Sequence, residues 1–178
     1  MTSGPASLNP WQQVSLVLLR TLLGWHFLYE GFFKLWGPAW SRAGAPLAHW
    51  TAAGYLKAAS GPFAGLFHSL AESRFLPWLD VVVPVALVLA GLSLMLGLLT
   101  RAGALVALAL LVLFYLAAIP TAGVPLPGTE GAYLLVSKTL VEAAAVLVIL
   151  CFGTGRIAGL DLLWSQSTSP TTPSEKNP

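Results

Sequence analysis

The first long apolar segment of the chain, residues 14–36, contains three charged side chains and one histidine: Arg20, Glu30, Lys34 and His26. A charge at the centre of a membrane helix costs roughly 2.5 to 3.5 kcal/mol, so lipid could not surround all four. At about 100° per residue, His26, Glu30 and Lys34 follow Arg20 at about 240°, 280° and 320° around the helix. They share about one third of its circumference, which predicts a polar stripe that faces other helices or water.

The composition places the chain among integral membrane proteins. Hydrophobic residues make up 56% of its 178 residues and charged residues only 9%, whereas soluble domains usually carry about 25% charged residues. The length suits one domain, and a formal net charge of +2 does not indicate a nucleic-acid partner. The expected partners are membrane lipid, lipid-soluble molecules and other membrane subunits.

Four apolar segments are long enough to cross a hydrocarbon core of about 30 Å, which takes about 20 helical residues. They are residues 14–36, 75–99, 102–120 and 133–152. The very short turn at residues 100–103 predicts that the second and third segments form an antiparallel hairpin. The sequence therefore predicts an all-α, integral membrane four-helix bundle.

The other stretches have a different character. Residues 37–74 are rich in proline, glycine and aromatic side chains, which is typical of short amphipathic helices at a membrane interface. Residues 1–13 form an N-terminal segment, and residues 165–178, rich in Ser, Thr and Pro, predict a disordered tail. Basic residues divide almost evenly between the two sides, but Arg101 and Arg156 lie directly beside helix ends. They favour cytoplasmic termini, which places residues 37–74 on the exoplasmic side.

In this topology the charged residues of three helices gather in the outer half of the bundle: Glu30, Lys34, Asp80, Lys138 and Glu142. The loop above them supplies a roof from Trp40, His49, Trp50, Tyr55 and His68. Intramembrane ionisable groups are functional by default, which favours a ligand or redox site. The alternative is an ion-paired network that only fixes helix register. Arg20 lies near the inner side, where Asp161 or backbone carbonyls are its expected partners.

No metal or haem site is predicted. His26 is best interpreted as a hydrogen-bonded interior residue rather than a haem ligand or a proton relay. Bis-histidine haem ligation would need a second membrane-embedded histidine, and His49 and His68 lie in the loop. The single cysteine, Cys151, has no partner within the chain, and clustered Cys and His ligands for zinc or iron–sulfur binding are absent from the sequence.

Three stretches of the sequence carry a resemblance to known proteins. Arg20, Gly24, Trp25, His26 and the run YEGFFKL at residues 29–35 resemble the first helix of the DoxX family of bacterial and archaeal membrane proteins. Residues 91–101 resemble its second helix and hairpin turn. The run KTLVE at residues 138–142 and GTGRIAGLD at residues 153–161 resemble its fourth helix and end, particularly in the DoxD branch. The likeness spans residues 14–164.

The resemblance implies a multi-pass domain of a bacterial or archaeal inner membrane and, for the DoxD branch, the large subunit of a thiosulfate:quinone oxidoreductase. Quinone is the implied cofactor, and a second subunit or a homo-oligomer is an expected partner. Other DoxX-like proteins resemble non-catalytic accessory subunits of membrane complexes, which is the alternative function. The candidate catalytic residues are Glu30, Lys34, Lys138 and Glu142, and the candidate ligand-binding residues are Arg20, His26, Trp40, His49, Trp50, His68 and Asp80.

Overall fold

The computed structural model describes residues 8–36, 50–119 and 135–162. Within these ranges the chain is all-helical, with six α-helices and no strand. The long helices are α1 (Pro10–Trp36), α4 (Leu76–Leu96), α5 (Thr100–Ala117) and α6 (Lys138–Phe152), and the short α2 (Ala52–Lys57) and α3 (Ala64–Ala71) lie between α1 and α4. The prediction of an all-α chain is confirmed.

The four long helices pack around one apolar core. α1 makes its most extensive contact with α4, α5 contacts both α4 and α6, and α1 also touches α6. Phe27, Leu87, Leu94 and Ile149 are almost completely buried in this core. Large apolar side chains also face outward on the long helices, and α4 and α5 are each long and apolar enough to cross a membrane.

Glycines bring the backbones of α1 and α4 into direct contact. A Cβ atom on Gly91 would lie 2.4 Å from the backbone nitrogen of Leu28 and 2.7 Å from the carbonyl oxygen of Gly24. Gly31 meets α4 in the same way, because its Cβ would lie 2.8 Å from the carbonyl oxygen of Pro84. Small residues at such a contact are typical of helix pairs in membranes.

The turn between α4 and α5 lies earlier than the sequence predicts. α4 ends at Leu96, where Gly97 adopts a left-handed conformation with φ 64°, and Leu99 also has a positive φ of 50°. Residues 100–103, predicted as the turn, form the first turn of α5 instead. The reason is Asp161, whose carboxylate accepts hydrogen bonds from the N–H groups of Leu99 at 2.7 Å and Thr100 at 3.0 Å. A carboxylate that is distant in the sequence therefore fixes the residue at which α5 begins.

The chain after α6 holds this end of the bundle together. We call it the turn end (residue 20 and residues 96–102 and 153–161). The N–H groups of Leu160 and Asp161 donate to the carbonyl oxygens of Leu96 and Gly97, at 3.2 and 2.9 Å. Burial acts to raise the pKa of Asp161, but hydrogen bonds from Thr100 and Leu99 and the charge of Arg20 outweigh burial and hold the pKa below its ordinary value.

Arg20 also belongs to the turn end. Its side chain is 3% exposed, and its Nη1 donates to the carbonyl oxygen of Thr154 at 3.0 Å. Gly153 ends α6 in a left-handed conformation with φ 56°, which allows the following turn to present that carbonyl group. Of the two partners expected for Arg20, the backbone carbonyl makes the hydrogen bond, while Asp161 interacts with it through charge.

At the opposite end, α2, α3 and the residues around them (50–74) form a cap. Ala52, Leu56, Phe67 and Ala71 pack with Ala117 of α5 in a second, smaller core. Short helices therefore do follow the first long helix, in the region where the proline- and glycine-rich pattern predicts them. The first part of that region, residues 37–49, lies outside the described residues. We call this end of the bundle the cap end.

Candidate functional site

A cavity of about 530 Å³ lies between the cap and the four long helices. This volume is within the range of roughly 300 to 1,000 Å³ that is typical of small-molecule sites. One side is polar and consists of His26, Glu30, Lys34, Lys138, Thr139 and Glu142. The other sides are apolar and include Phe27 of α1, Leu87 of α4, Leu111 of α5 and Leu56 of α2. The cavity therefore offers charged anchors beside apolar walls.

The charged side chains on the polar side pair with one another. Nε2 of His26 lies 3.3 Å from Oε1 of Glu142, and Nζ of Lys138 lies 3.8 Å from the same oxygen. Lys34 pairs with Glu30 one turn earlier on its own helix. The direct link between α1 and α6 is thus made by His26 and Glu142.

The periodicity of α1 explains why these residues share a cavity. His26, Glu30 and Lys34 recur every four residues, so they lie on one face of the helix, and each of them lines the cavity. The aromatic side chains of Trp25, Tyr29 and Phe33, by contrast, are at least 38% exposed on the outer face. The polar stripe of α1 therefore faces inward and its aromatic residues face outward.

Charges on the polar side of the cavity balance. Two lysines face two glutamates, and His26 adds a positive charge only when it is protonated. Glu142 is the most enclosed of the four, with its side chain 17% exposed, whereas the side chain of Lys138 is 63% exposed. A neutral molecule with polar atoms matches this wall, because it finds hydrogen-bonding groups of both kinds and adds no net charge.

The cap provides the roof of the cavity. Trp50 lines it, and the Nζ atom of Lys34 lies 5.9 Å from the centre of the Trp50 ring, at the distance of a cation–π contact. The hydroxyl of Tyr55 donates to the carbonyl oxygen of Phe114 at 3.0 Å. Burial raises the pKa of Tyr55 to about 12, so this side chain remains protonated at neutral pH. Trp40 and His49 lie outside the described residues.

Three other candidates do not line the cavity, because each is bound to the backbone of another segment. Arg20 lies at the turn end, on the carbonyl of Thr154. Nε2 of His68 lies 3.1 Å from the carbonyl oxygen of Ala59. Asp80 accepts hydrogen bonds from the start of α2. Of the eleven candidates, those that line the cavity are Glu30, Lys34, Lys138, Glu142, His26 and Trp50.

Sequence reasoning missed the contribution of α3. Phe67 and Leu70 of this helix line the cavity, and Phe67 is 7% exposed. Their spacing of three residues places them on one helix face, and this spacing is the signal that predicts an inward apolar face for residues 64–71. Within the described residues, the roof is therefore aromatic and aliphatic.

Among the described residues, no group of three or more His, Cys, Asp or Glu side chains is arranged to hold a metal ion. Comparison of the chain with protein families, curated proteins and solved structures gave no match. The function is therefore inferred from the chemistry of the cavity and from the residues of the chain itself.

Proposed function

We propose that the chain is a multi-pass membrane protein of the DoxX type whose cavity binds the head group of a quinone. It serves as the membrane subunit of an oxidoreductase that passes electrons from a small sulfur anion, such as thiosulfate, to that quinone. The observation that carries the proposal is the cavity of about 530 Å³ with a charge-balanced polar side and apolar walls. A scaffold needs no such space.

The membrane part of the proposal rests on all four long helices. α4 and α5 are long and apolar enough to span a bilayer. α1 has 27 residues, or about 40 Å of helix, and its charged side chains turn inward, so its outer face is apolar. α6 is shorter, but its charged side chains likewise lie toward the cavity and its outer face is apolar. With Arg101 at the turn end, the positive-inside rule favours a cytoplasmic turn end, cytoplasmic termini and an exoplasmic cap.

A quinone fits the cavity by its chemistry. It is neutral, its two carbonyl oxygens accept hydrogen bonds, and its ring is apolar. Lys34, Lys138 and protonated His26 are donors on the polar side, and Trp50 and Phe27 are aromatic walls. Reduction of a quinone to a quinol takes up two electrons and two protons. Glu30, Glu142 and His26 lie on the same side of the cavity, and they are the groups that would relay protons to the carbonyl oxygens.

A small anion is proposed to approach from the outer side. Lys138 is the more exposed of the two lysines that line the cavity, so its ammonium group is the one that meets an anion arriving from water. Lys34 is more enclosed, with its side chain 22% exposed between Glu30 and the Trp50 ring. The two lysines thus have different roles, one at the mouth of the cavity and one inside it.

Substitution of either lysine tests the proposed reaction. Lys34→Gln or Lys138→Gln is expected to lower thiosulfate-dependent quinone reduction in membranes at least tenfold, because each removes a charged donor from the cavity. Lys57→Gln is the matched control, since Lys57 is exposed on the cap and does not line the cavity. The amount of inserted protein is measured in parallel. Unchanged turnover in both cavity variants would remove the catalytic role.

The second candidate is a non-catalytic subunit that uses these charges for packing. One observation favours it: every lysine that lines the cavity already has a carboxylate partner. Purification from the native membrane separates the two functions. The quinone site predicts about one extractable quinone per chain, and a scaffold predicts co-purifying subunits without bound quinone.

The proposed topology has its own test. In a Cys151→Ser background, Ala102→Cys at the turn end is expected to react with a membrane-impermeant maleimide only from the cytoplasmic side, and Gly54→Cys in the cap only from outside. Both positions are exposed. Labelling of Ala102→Cys from outside would reverse the orientation.

A further inference from the structure

Asp80, near the start of α4, holds the beginning of the cap. One of its carboxylate oxygens accepts a hydrogen bond from the N–H of Ala52 at 2.7 Å, and the hydroxyl of Thr51 lies 3.1 Å from both oxygens. Thr51 in turn accepts from the N–H of Ala53 and so caps α2. A single carboxylate on α4 therefore fixes the first residues of α2.

The segment that Asp80 holds is also the roof of the cavity. Residues 50–56, which we call the roof segment, contribute Trp50, Ala52, Tyr55 and Leu56 to the cavity lining. Trp50 immediately precedes the Thr51 that Asp80 binds, and the Trp50 ring lies against Lys34. Trp50 is thus one residue away from Thr51 and two away from Ala52, the two residues that Asp80 binds.

The other attachments of the roof segment and the residues just after it lead to α5. The hydroxyl of Tyr55 donates to the carbonyl oxygen of Phe114, and the N–H of Ser60 donates to that of Ala117 at 2.9 Å. On the α4 side, the hydrogen bonds described for this segment all end on Asp80. Without Asp80, the first residues of the roof segment, around Trp50, would be held only by packing. The hydrogen bonds to α5 would remain.

We propose that Asp80 is a positioning residue for the cavity. It holds the roof segment so that Trp50 lies against Lys34, and in this way it sets the access to the cavity and its affinity for a ligand. Asp80 does not itself line the cavity, so it acts through the roof segment. The effect on ligand affinity rests on the proposed quinone site, whereas the effect on access does not.

Access is measured without any ligand. A cysteine is placed in the cavity wall by Val83→Cys in a Cys151→Ser background, and its rate of reaction with a water-soluble maleimide is recorded. Asp80→Ala is expected to raise this rate at least tenfold, because the roof segment loses its attachment to α4. Asp80→Asn is expected to stay within threefold of the parent, since the amide oxygen can still accept from Ala52.

Two further variants complete this measurement. Glu72→Ala removes an exposed carboxylate of the cap that does not line the cavity, and it is expected to leave the rate unchanged. Thr51→Val removes the hydroxyl donor but keeps Asp80, and it is expected to give an intermediate rate. Thr51→Val also replaces Asp80→Ala in the test if circular dichroism in detergent shows that Asp80→Ala does not fold. Equal rates in the parent, Asp80→Ala and Thr51→Val would overturn the positioning role.

Affinity is measured with decylubiquinone and the purified protein in detergent. Asp80→Ala is expected to raise Kd about tenfold and Asp80→Asn less than threefold. A rise in the labelling rate with an unchanged Kd would overturn the effect of Asp80 on affinity. If the native protein binds no decylubiquinone, the proposed function fails, and the labelling rates still decide whether Asp80 controls access.

Discussion

Gly91→Ala is expected to lower the free energy of unfolding by about 3 kcal/mol, at the upper end of the usual cost of overpacking. The added methyl group would lie 2.4 Å from the backbone nitrogen of Leu28 and 2.7 Å from the carbonyl oxygen of Gly24. Neither atom belongs to a side chain that can rotate away. The helices α1 and α4 would have to separate, which also loosens the core around Phe27.

The measurement is reversible unfolding of the purified protein in detergent, followed by circular dichroism. Gly65→Ala is the matched control, because Gly65 is also helical and a Cβ there would have no neighbour within 4 Å. This variant is expected to unfold at the same point as the parent or to gain up to about 1 kcal/mol. Similar unfolding of the two variants would show that α1 and α4 do not meet at Gly91.

Asp161→Ala is expected to cost about 2 kcal/mol, since hydrogen bonds to a charged group contribute roughly 1.5 to 3 kcal/mol and a partly exposed carboxylate gives the lower part of that range. The variant leaves the N–H groups of Leu99 and Thr100 without their acceptor. It also removes the nearby negative charge from buried Arg20.

The same carboxylate predicts a pH dependence of stability. Because the pKa of Asp161 is lower in the folded chain than its ordinary value, its contribution is fully present above about pH 4 and is lost as the pH falls through the folded pKa. Unfolding curves of the parent at neutral pH and near pH 3 should therefore differ more than those of Asp161→Asn. The exposed Glu72→Gln is the control, and an equal acid sensitivity of all three proteins would contradict this role.

Local periodicity was enough to predict the polar wall of the cavity. The cost of a charge in lipid and a spacing of four residues require His26, Glu30 and Lys34 to share an inward face, and all three line one cavity. The same spacing on α6 brings Lys138 and Glu142 to it. These inferences need only one helix at a time, which is why they do not depend on knowledge of the fold.

The features that escaped prediction depend on contacts between distant residues. The start of α5 at Thr100 is set by Asp161, which lies 61 residues away. Asp80 was expected in the ligand site, but its carboxylate meets the beginning of α2. The pairing of His26 with Glu142 required knowing how α1 and α6 are rotated about their axes. Hydropathy and helical period contain none of this information.

The contact between α1 and α4 also determines which parts of the cavity wall can yield. Gly24, Gly31 and Gly91 bring backbone against backbone, so at these points neither helix can move closer to the other. The two helices are therefore expected to move together as one unit. Any movement that admits a ligand is expected in the cap and in α5 and α6, while the spacing of His26, Glu30 and Lys34 on α1 does not change.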